Sequence, residues 1–517
     1  MKKILKFILL VNMCISLFGC SYIENVIDDD SKLRIIASDV YQDLSLENEV
    51  SNVTIDYLSD IDIVSKLNQG SSEYDAILIS NSMWTYMLDN VYLTESKSLA
   101  ISPVVFAVKK DKAQELGLVD TEITNEDILN LIKDKRISYV MPSAVRTNAG
   151  ATSYLGFVNA LSGNPEVLTS DHLENQYLKD NLKTLFNNVE RNAGSESYTF
   201  DIFESSGCDA LVATEASIIK YNKEHVNNPL YMLYPIDGVA VTDSMFTFIG
   251  KAEKKDTFIR VRDYLLSNEG QKLFKEHNYR TWYGGSTEIV DPRFNKNWGV
   301  DTTKILKVTS FPSKTVMTKA FGLYANLYRK PSVVTFVLDY SGSMVGSGYE
   351  DLQDAISYVL DTNKASTEFI QFSKDDHISV IYFSDNTAYY TEFFNGNEAY
   401  KIYSNALANV QATGGTPLYE ATAAALEHVT TEMSSLANIG DYSPSIILMT
   451  DGQPTGISFK RFQNYYETEG YNIPIYAIAF GDADLKELTK VAEMSNGKSF
   501  DGREDLLQAF REIRGYN

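Results

Sequence analysis

Cysteine is scarce in this chain, which has only Cys14, Cys20 and Cys208 among its 517 residues. So few cysteines exclude a disulfide-rich scaffold, because such scaffolds staple a small core with several bridges. The fold must therefore be stabilised by the burial of apolar side chains, and 44% of the residues are hydrophobic. That content is sufficient for two or three ordinary globular domains.

Histidine is also scarce, with five residues that do not cluster in the sequence as metal ligands or general bases. Three common catalytic motifs are missing from the sequence: G-x-S-x-G, H-E-x-x-H and G-x-x-x-x-G-K-[ST]. Cys208 stands beside the apolar run 210–213 with no Cys-His pattern, which is typical of a small buried residue and not of a nucleophile. We therefore expect a protein that is not an enzyme.

Positive charge is in deficit, because 46 lysines and arginines face 69 aspartates and glutamates, for a formal net charge of −23. A strongly acidic protein is a poor partner for nucleic acid, and we expect no such partner. The same charge attracts divalent cations and repels anionic lipid head groups.

Three polar motifs follow apolar runs in the last third of the chain. Asp339-Tyr340-Ser341-Gly342-Ser343 ends one run, Thr416 lies in a Thr-Gly-Gly-Thr-Pro segment, and Asp451 ends a later run. If these runs are strands of a parallel sheet, their polar ends meet at the edge where ligands bind. Because Mg²⁺ prefers oxygen ligands, the pattern predicts a cation site. The alternative is a Ser/Gly turn that only caps the following helix.

This set of residues resembles the metal-ion-dependent adhesion site of the von Willebrand factor type A (VWA) family, whose D-x-S-x-S, later Thr and later T-D-G are all matched. The resemblance covers residues 328–517 and implies a Rossmann-like, doubly wound α/β domain that binds Mg²⁺, Mn²⁺ or Ca²⁺. It implies that the two serines bind the cation directly, the two aspartates through water, and the threonine in the occupied state. The resemblance also implies a partner protein that donates an Asp or Glu to the open coordination position. The implied metal ligands are Asp339, Ser341, Ser343, Thr416 and Asp451.

Alternating patterns after residue 331 favour the same fold class. Apolar strand-like runs cover 333–338, 378–383, 446–449 and 475–480. Amphipathic helical patterns cover 351–361, 418–433, 485–494 and 504–513. Strands that alternate with helices predict a parallel sheet covered by helices on both faces.

The amino-terminal residues resemble a bacterial lipoprotein signal. Lys2 and Lys3 precede an apolar stretch that is short for a membrane span and stops at Gly19-Cys20. The resemblance implies a signal peptide over 1–19, lipidation of Cys20, an acidic tether over 20–31, and a lipid anchor on the extracytoplasmic face of the bacterial membrane. The alternatives are an ordinary secretory signal and a poor transmembrane anchor. Cleavage would remove three lysines and take the net charge from −23 to −26.

Residues 32–327 resemble a type II periplasmic-type solute-binding protein, with two α/β lobes joined by two crossing strands near 101–109 and 233–243. A strand and helix order of β, α, β, α begins at Leu33, and Leu265-Leu266-Ser267-Asn268-Glu269-Gly270-Gln271 is similar to the closing phrase of that family. The fold expected for the whole chain is therefore α/β, a two-lobed region followed by a VWA domain.

Two turns of this region are candidates for binding a small anion, since a helix amino terminus offers unpaired N–H groups. The first turn precedes a helix predicted to begin at Met83, and the second precedes a helix predicted at 151–161. An arginine in the second turn could clamp an oxyanion or a carboxylate. The alternative is that the polar residues are plain helix caps. The candidate ligand-binding residues are Ser80, Ser82, Arg146, Thr147 and Asn148.

Two classes of function remain. One is a membrane-anchored binding protein in which the cation site captures an acidic residue of a partner protein. The other is the solute receptor of an ABC-type transporter, with the VWA domain as an accessory. Free transport receptors rarely carry a second domain of this size, which favours the first.

Overall fold

The computed structural model describes residues 32–281, 292–384, 387–503 and 506–516. The signal peptide, the acidic tether and the lipidation site predicted within 1–31 lie outside these residues, as do positions 504 and 505 of the predicted final helix. None of the helices among the described residues is long and apolar enough to cross a membrane.

The strands, in chain order, are β1 Leu33–Ser38, β2 Val53–Leu58, β3 Ala76–Ile79, β4 Thr94–Ser98, β5 Ala100–Lys109, β6 Tyr139–Pro142, β7 Val189–Ala193, β8 Ala210–Thr214, β9 Leu230–Leu233, β10 Val241–Thr242, β11 Met245–Phe248, β12 Arg280–Thr281, β13 Ser332–Asp339, β14 His377–Ser384, β15 Thr387–Tyr390, β16 Phe394–Asn395, β17 Ser443–Thr450, β18 Ile475–Ala479 and β19 Ser499–Asp501.

The α-helices are α1 Leu46–Glu49, α2 Asp60–Asn68, α3 Lys110–Glu115, α4 Asn125–Lys133, α5 Asn148–Leu161, α6 Gln176–Asn187, α7 Glu196–Ser206, α8 Glu215–Glu224, α9 Lys255–Leu266, α10 Asn268–Glu276, α11 Lys314–Leu323, α12 Ser347–Leu360, α13 Thr362–Ala365, α14 Tyr400–Ile402, α15 Leu418–Ser435, α16 Phe459–Glu469, α17 Leu485–Met494 and α18 Leu506–Ile513.

The chain forms two compact units and passes between them after Ser102, within β5, and after Val241, within β10. These are the two places where the sequence predicted crossing strands. The first unit consists, among the described residues, of 32–102 and 242–281. Its sheet has the order β2-β1-β3-β11-β4, with β1 parallel to β2 and β3, and β11 antiparallel to β3 and β4.

The second unit contains a further lobe and the VWA-like domain. We call residues 103–241 the second lobe. Its sheet pairs β5 with β8, β8 with β6, and β6 with β7, and the last two pairs are parallel. Helix α11 continues into a π-helix, Tyr324–Tyr328, which packs on this lobe because the Tyr324 ring lies 5.3 Å from the rings of both Tyr154 and Phe186.

The C-terminal sheet has the order β15-β14-β13-β17-β18-β19, in which every pair except β15 with β14 is parallel. The short strand β16 also pairs antiparallel with β14. All eight residues of β13 are buried, as expected for a central strand with helices on both faces. Val334, Phe336 and Leu338 pack in one core with α12 and α18. Val333 and Val337 pack in another with α15, α16 and α17. The predicted α/β class is confirmed for both parts of the chain.

A buried ion pair anchors this domain to the segment that precedes it. Arg329 follows the π-helix, and its Nη1 donates to Asp376 Oδ1 at 2.9 Å. Asp376 also accepts hydrogen bonds from the Ser332 and Ser373 amides, each at 2.6 Å. Burial alone would raise the pKa of Asp376, but the neighbouring Arg329 guanidinium lowers it below the ordinary value. The start of β13 is therefore held by a fully partnered carboxylate.

Candidate metal centre and ligand turns

The buried end of β13 places Asp339 beside the end of β17. The Ser341 amide donates to Asp339 Oδ1 at 2.7 Å, and the Thr450 hydroxyl donates to Oδ2 at 2.5 Å. Asp339 is 0% exposed, and this burial raises the pKa of its carboxyl to about 6. A carboxylate held in this way is oriented before any cation arrives, but it carries a cost of desolvation.

The two serines connect Asp339 to Asp451. Ser341 Oγ lies 3.0 Å from Ser343 Oγ, and Ser343 Oγ donates to Asp451 Oδ1 at 2.7 Å. Burial raises the pKa of Asp451 as well. Ser341 is buried whereas Ser343 is exposed, so the cluster has a closed floor at Asp339 and a face toward solvent at Ser343.

Thr416 joins the same cluster from the loop before α15. A methyl group at Gly452 would lie 3.1 Å from Ser343 Oγ and 3.2 Å from Thr416 Oγ1, so both hydroxyls face this glycine. The Thr416 amide donates to Thr455 Oγ1 at 3.1 Å, and the Thr455 amide donates back to the Thr416 carbonyl at 2.8 Å. The structure thus brings together all five residues that the sequence singled out.

Backbone contacts fix the threonine loop against the serine motif. The Gly342 amide donates to the Gly414 carbonyl at 3.0 Å, and the Thr413 amide donates to the Tyr340 carbonyl at 2.8 Å. Sequence reasoning missed the roles of Thr450 and Thr455 as partners of Asp339 and Thr416. A signal for Thr450 was present, because it occupies the end of a strand beside Asp451.

The donor set suits a hard cation. It offers two carboxylates and three hydroxyls, and oxygen atoms are the ligands that Mg²⁺ prefers. Among the described residues, no group of three or more His, Cys, Asp or Glu side chains is placed to hold a metal ion.

The predicted turn of the first unit does not present free amides. The Ser80 amide and hydroxyl donate to the two Asp60 carboxylate oxygens at 2.8 and 2.6 Å. The Ser82 amide donates to Asp243 Oδ1 at 2.6 Å. The helix that begins there is a short 3₁₀-helix, Ser82–Met87. Internal carboxylates therefore occupy the donors that were expected for an anion, and their charge would repel one.

Asp60 is the centre of this arrangement. It is buried, accepts a third hydrogen bond from the Ser38 hydroxyl at 3.0 Å, and burial raises its pKa to about 6. Ser38 ends β1 and Asp60 begins α2. Position along the sequence gave no sign of this contact, since 22 residues separate the two side chains.

The predicted turn of the second lobe contains a helix cap. Thr147 Oγ1 accepts from the Gly150 amide at 3.0 Å and donates to the Ser143 carbonyl at 2.8 Å. Asn148 is the first residue of α5, and its Oδ1 accepts from the Thr152 hydroxyl at 3.2 Å. The capping alternative therefore describes Thr147. Arg146 is buried, at 4% exposure.

Comparisons with known proteins match the two regions that the sequence predicted, the solute-binding-like region 32–327 and the VWA-like region 328–517. A family model for the von Willebrand factor type A domain matches residues 334–511, and one for bacterial extracellular solute-binding proteins matches residues 46–280. Human inter-alpha-trypsin inhibitor heavy chain H2 is 28% identical over 179 residues, which are 33% of this chain and 18% of that protein. Heavy chain H6 from Homo sapiens is 28% identical over 177 residues, which are 32% of this chain and 12% of that protein.

Among solved structures, the periplasmic binding protein AfuA from Actinobacillus pleuropneumoniae is 14% identical and covers 57% of this chain and 98% of its own, with a TM-score of 0.41. A von Willebrand factor type A structure from Catenulispora acidiphila is 18% identical and covers 37% of this chain and 43% of its own, with a TM-score of 0.30.

Proposed function

We propose that this chain, which joins a solute-binding-protein-like region to a VWA domain, is an extracytoplasmic protein that captures a partner protein through a divalent cation. The observation that carries the proposal is the convergence of two carboxylates and three hydroxyls at the strand ends of one sheet. The chain acts by binding and not by catalysis.

Asp339, Ser341, Ser343, Thr416 and Asp451 would hold the cation, which we expect to be Mg²⁺ or Mn²⁺. When bound, such an ion supplies an electrophilic position for a carboxylate from the partner. Asp339 anchors the buried side through its contacts with Thr450 and the Ser341 amide. Thr455 orients the Thr416 peptide, so that the hydroxyl of Thr416 stays beside Gly452.

The surface around Ser343 supports capture of a protein and not of a small ion alone. Val345 is exposed next to the serine motif. On the edge strand β15, the exposed Tyr389 stacks on Tyr382, whose ring lies 5.6 Å from that of Tyr340 in the motif itself. Exposed aromatic side chains beside a charged centre are typical of protein interfaces.

The test measures cation binding by isothermal titration with MgCl₂ and MnCl₂, using the full chain and two variants. Asp451→Ala removes a carboxylate that accepts from Ser343 and should abolish binding at millimolar cation. Asp354→Ala is the matched control, because Asp354 is exposed on α12 in the same domain. Partner capture from the cell surface fraction should then require the cation, disappear in EDTA, and fail for Asp451→Ala alone.

Absence of cation binding by the full chain would remove this proposal and leave the domain as a scaffold. If the chain binds the cation but captures its partner even in EDTA, the cation site stands and the claim that the cation mediates partner binding is refuted. Either result leaves the solute-binding region as the remaining candidate for function.

The second candidate is a solute receptor of an ABC-type transporter. The family match over residues 46–280 favours it, together with the two strands that pass from one compact unit to the other. A thermal-shift panel on the full chain tests it, because a ligand that binds only the folded state raises the melting temperature by mass action. The panel should include amines as well as oxyanions and carboxylates. The amides of Ser80 and Ser82 donate to Asp60 and Asp243, and the negative charge of these carboxylates favours a cationic ligand.

A further inference from the structure

The last described residues of the VWA domain pack against the second lobe. Helix α18 continues into Arg514–Tyr516, which we call the 514–516 segment. Tyr516 is 2% exposed. Its ring lies 5.2 Å from the ring of Tyr198 in the second lobe and 5.4 Å from the ring of Tyr476 in β18. Tyr516 therefore bridges the two parts of this unit.

Two glycines allow the backbones to approach closely at this contact. A methyl group on Gly194 would lie 2.2 Å from the Tyr516 ring, and one on Gly515 would lie 2.8 Å from Gly194 Cα. The same methyl group on Gly515 would lie 3.1 Å from both Cβ and Cγ of Arg146. A side chain at either glycine could not be accommodated without moving the segment, so the fit depends on both.

The contact lies at the carboxyl ends of two parallel strands of the second lobe. Gly194 directly follows β7, and Arg146 belongs to the turn that follows β6. The Ser143 amide donates to the Ala193 carbonyl at 2.7 Å, which holds these two strand ends together. In open α/β sheets, ligands bind at this edge. The 514–516 segment thus lies where a ligand of the second lobe is expected.

Polar contacts around Tyr516 give its contact with the second lobe chemical specificity. Lys498 Nζ lies 3.0 Å from the Tyr516 hydroxyl and 5.6 Å from the centre of the Tyr198 ring. Arg191 of the second lobe donates to the Tyr476 hydroxyl at 2.6 Å, and the Tyr198 hydroxyl donates to the Gly497 carbonyl at 2.8 Å. Aromatic rings flanked by cations are suited to bind a further aromatic side chain, through edge contacts and cation–π attraction.

We propose that the strand-end edge formed by Arg146, Gly194 and Tyr198 is a peptide-binding site whose resident ligand is the 514–516 segment of this same chain. The second lobe then serves as a receptor for the VWA domain, and any other ligand of this edge must displace the segment. The inference does not rest on the cation site, because none of the five candidate ligands takes part in it.

Hydrogen exchange of the full chain tests the proposal, read on peptides that cover 143–150 and 194–200. Tyr516→Ala should vacate the edge and speed exchange in both peptides by about tenfold or more, because the segment no longer covers them. A free peptide with the sequence of residues 511–516 should restore protection at millimolar concentration, the range of a short intramolecular tether. The same peptide with alanine in place of its tyrosine should not.

Two glycine variants complete the design. Gly194→Ala places a methyl group where the Tyr516 ring lies, so hydrogen exchange should rise in the 514–516 segment and the free peptide should give no protection. Gly322→Ala is the matched control, because a methyl group there meets no atom within 4 Å. If Tyr516→Ala fails to fold, the Gly194→Ala exchange pattern carries the test.

Unchanged exchange in both Tyr516→Ala and Gly194→Ala would show that the segment does not cover the edge, and would overturn the proposal. Faster exchange in Tyr516→Ala without protection by the free peptide would show that the segment only makes a packing contact, and would also overturn the proposal. Protection of Tyr516→Ala but not of Gly194→Ala by the peptide is the result that the proposal requires.

Discussion

Replacing Asp339 by asparagine should stabilise the cation-free protein while it destroys the cation site. Asp339 is buried, and its pKa near 6 in the folded chain compares with about 3.9 in an unfolded one. Ionisation at neutral pH therefore costs about 3 kcal/mol of folding free energy, which an isosteric neutral amide avoids. Asparagine can still accept from the Ser341 amide, so the backbone of the motif should be retained.

The sign of this effect depends on pH. Below about pH 4 the carboxyl is protonated in both states, and the variant and the parent should be equally stable. As pH rises through 4 to 6, the parent loses stability and the variant does not, so the difference should grow to its full size by pH 7. With Mg²⁺ at about 1,000 times its Kd the order should reverse, because the cation stabilises only the parent, by about 4.1 kcal/mol, which exceeds the cost of ionising Asp339.

The measurement is equilibrium unfolding of the full chain in EDTA at pH 4 and pH 7, with hydrogen exchange of β13 peptides to assign the transition to this domain. Asp354→Asn on the exposed face of α12 is the matched control. A variant that is no more stable than the parent at pH 7, or equally stabilised at both pH values, would refute the claim that Asp339 is a desolvated carboxylate held for a cation.

Two further predictions address the rest of the site and the anchor. Gly452→Ala should weaken Mg²⁺ binding, measured by titration, by about tenfold or more. Its methyl group would lie 3.1 Å from Ser343 Oγ and 3.2 Å from Thr416 Oγ1 and would displace both hydroxyls. Gly440→Ala is the control and should leave the affinity unchanged, because a methyl group there meets no atom within 4 Å. Cys20→Ala should abolish labelling by a fatty acid analogue and move the protein from the detergent phase to the aqueous phase, because the apolar stretch before it is marginal as a span; continued detergent partitioning without acyl label on the parent chain would contradict a lipid anchor.

The sequence alone determined the chemistry of the candidate metal centre. Apolar runs of strand length end at Asp339 and at Thr450, and their alternation with helical patterns predicts a parallel sheet. These properties are local, since strand propensity, burial pattern and ligand type can be read within a few residues. For the same reason, the order β15-β14-β13-β17-β18-β19 and the antiparallel edge strand could not be read from the sequence.

Tertiary structure decided which groups meet across long separations. Asp60 reaches Ser80 over 20 residues, and Thr450 reaches Asp339 over 111 residues. The first contact and the bond from the Ser82 amide to Asp243 removed the free amides expected at Ser80 and Ser82. The second contact supplied a partner for Asp339 from a residue of the T-D-G motif whose role the motif did not indicate. Tyr516 stands 318 positions after Tyr198, yet their rings are 5.2 Å apart. Such contacts depend on how whole sheets and helices pack, and this packing is a property of the folded chain and not of any short segment.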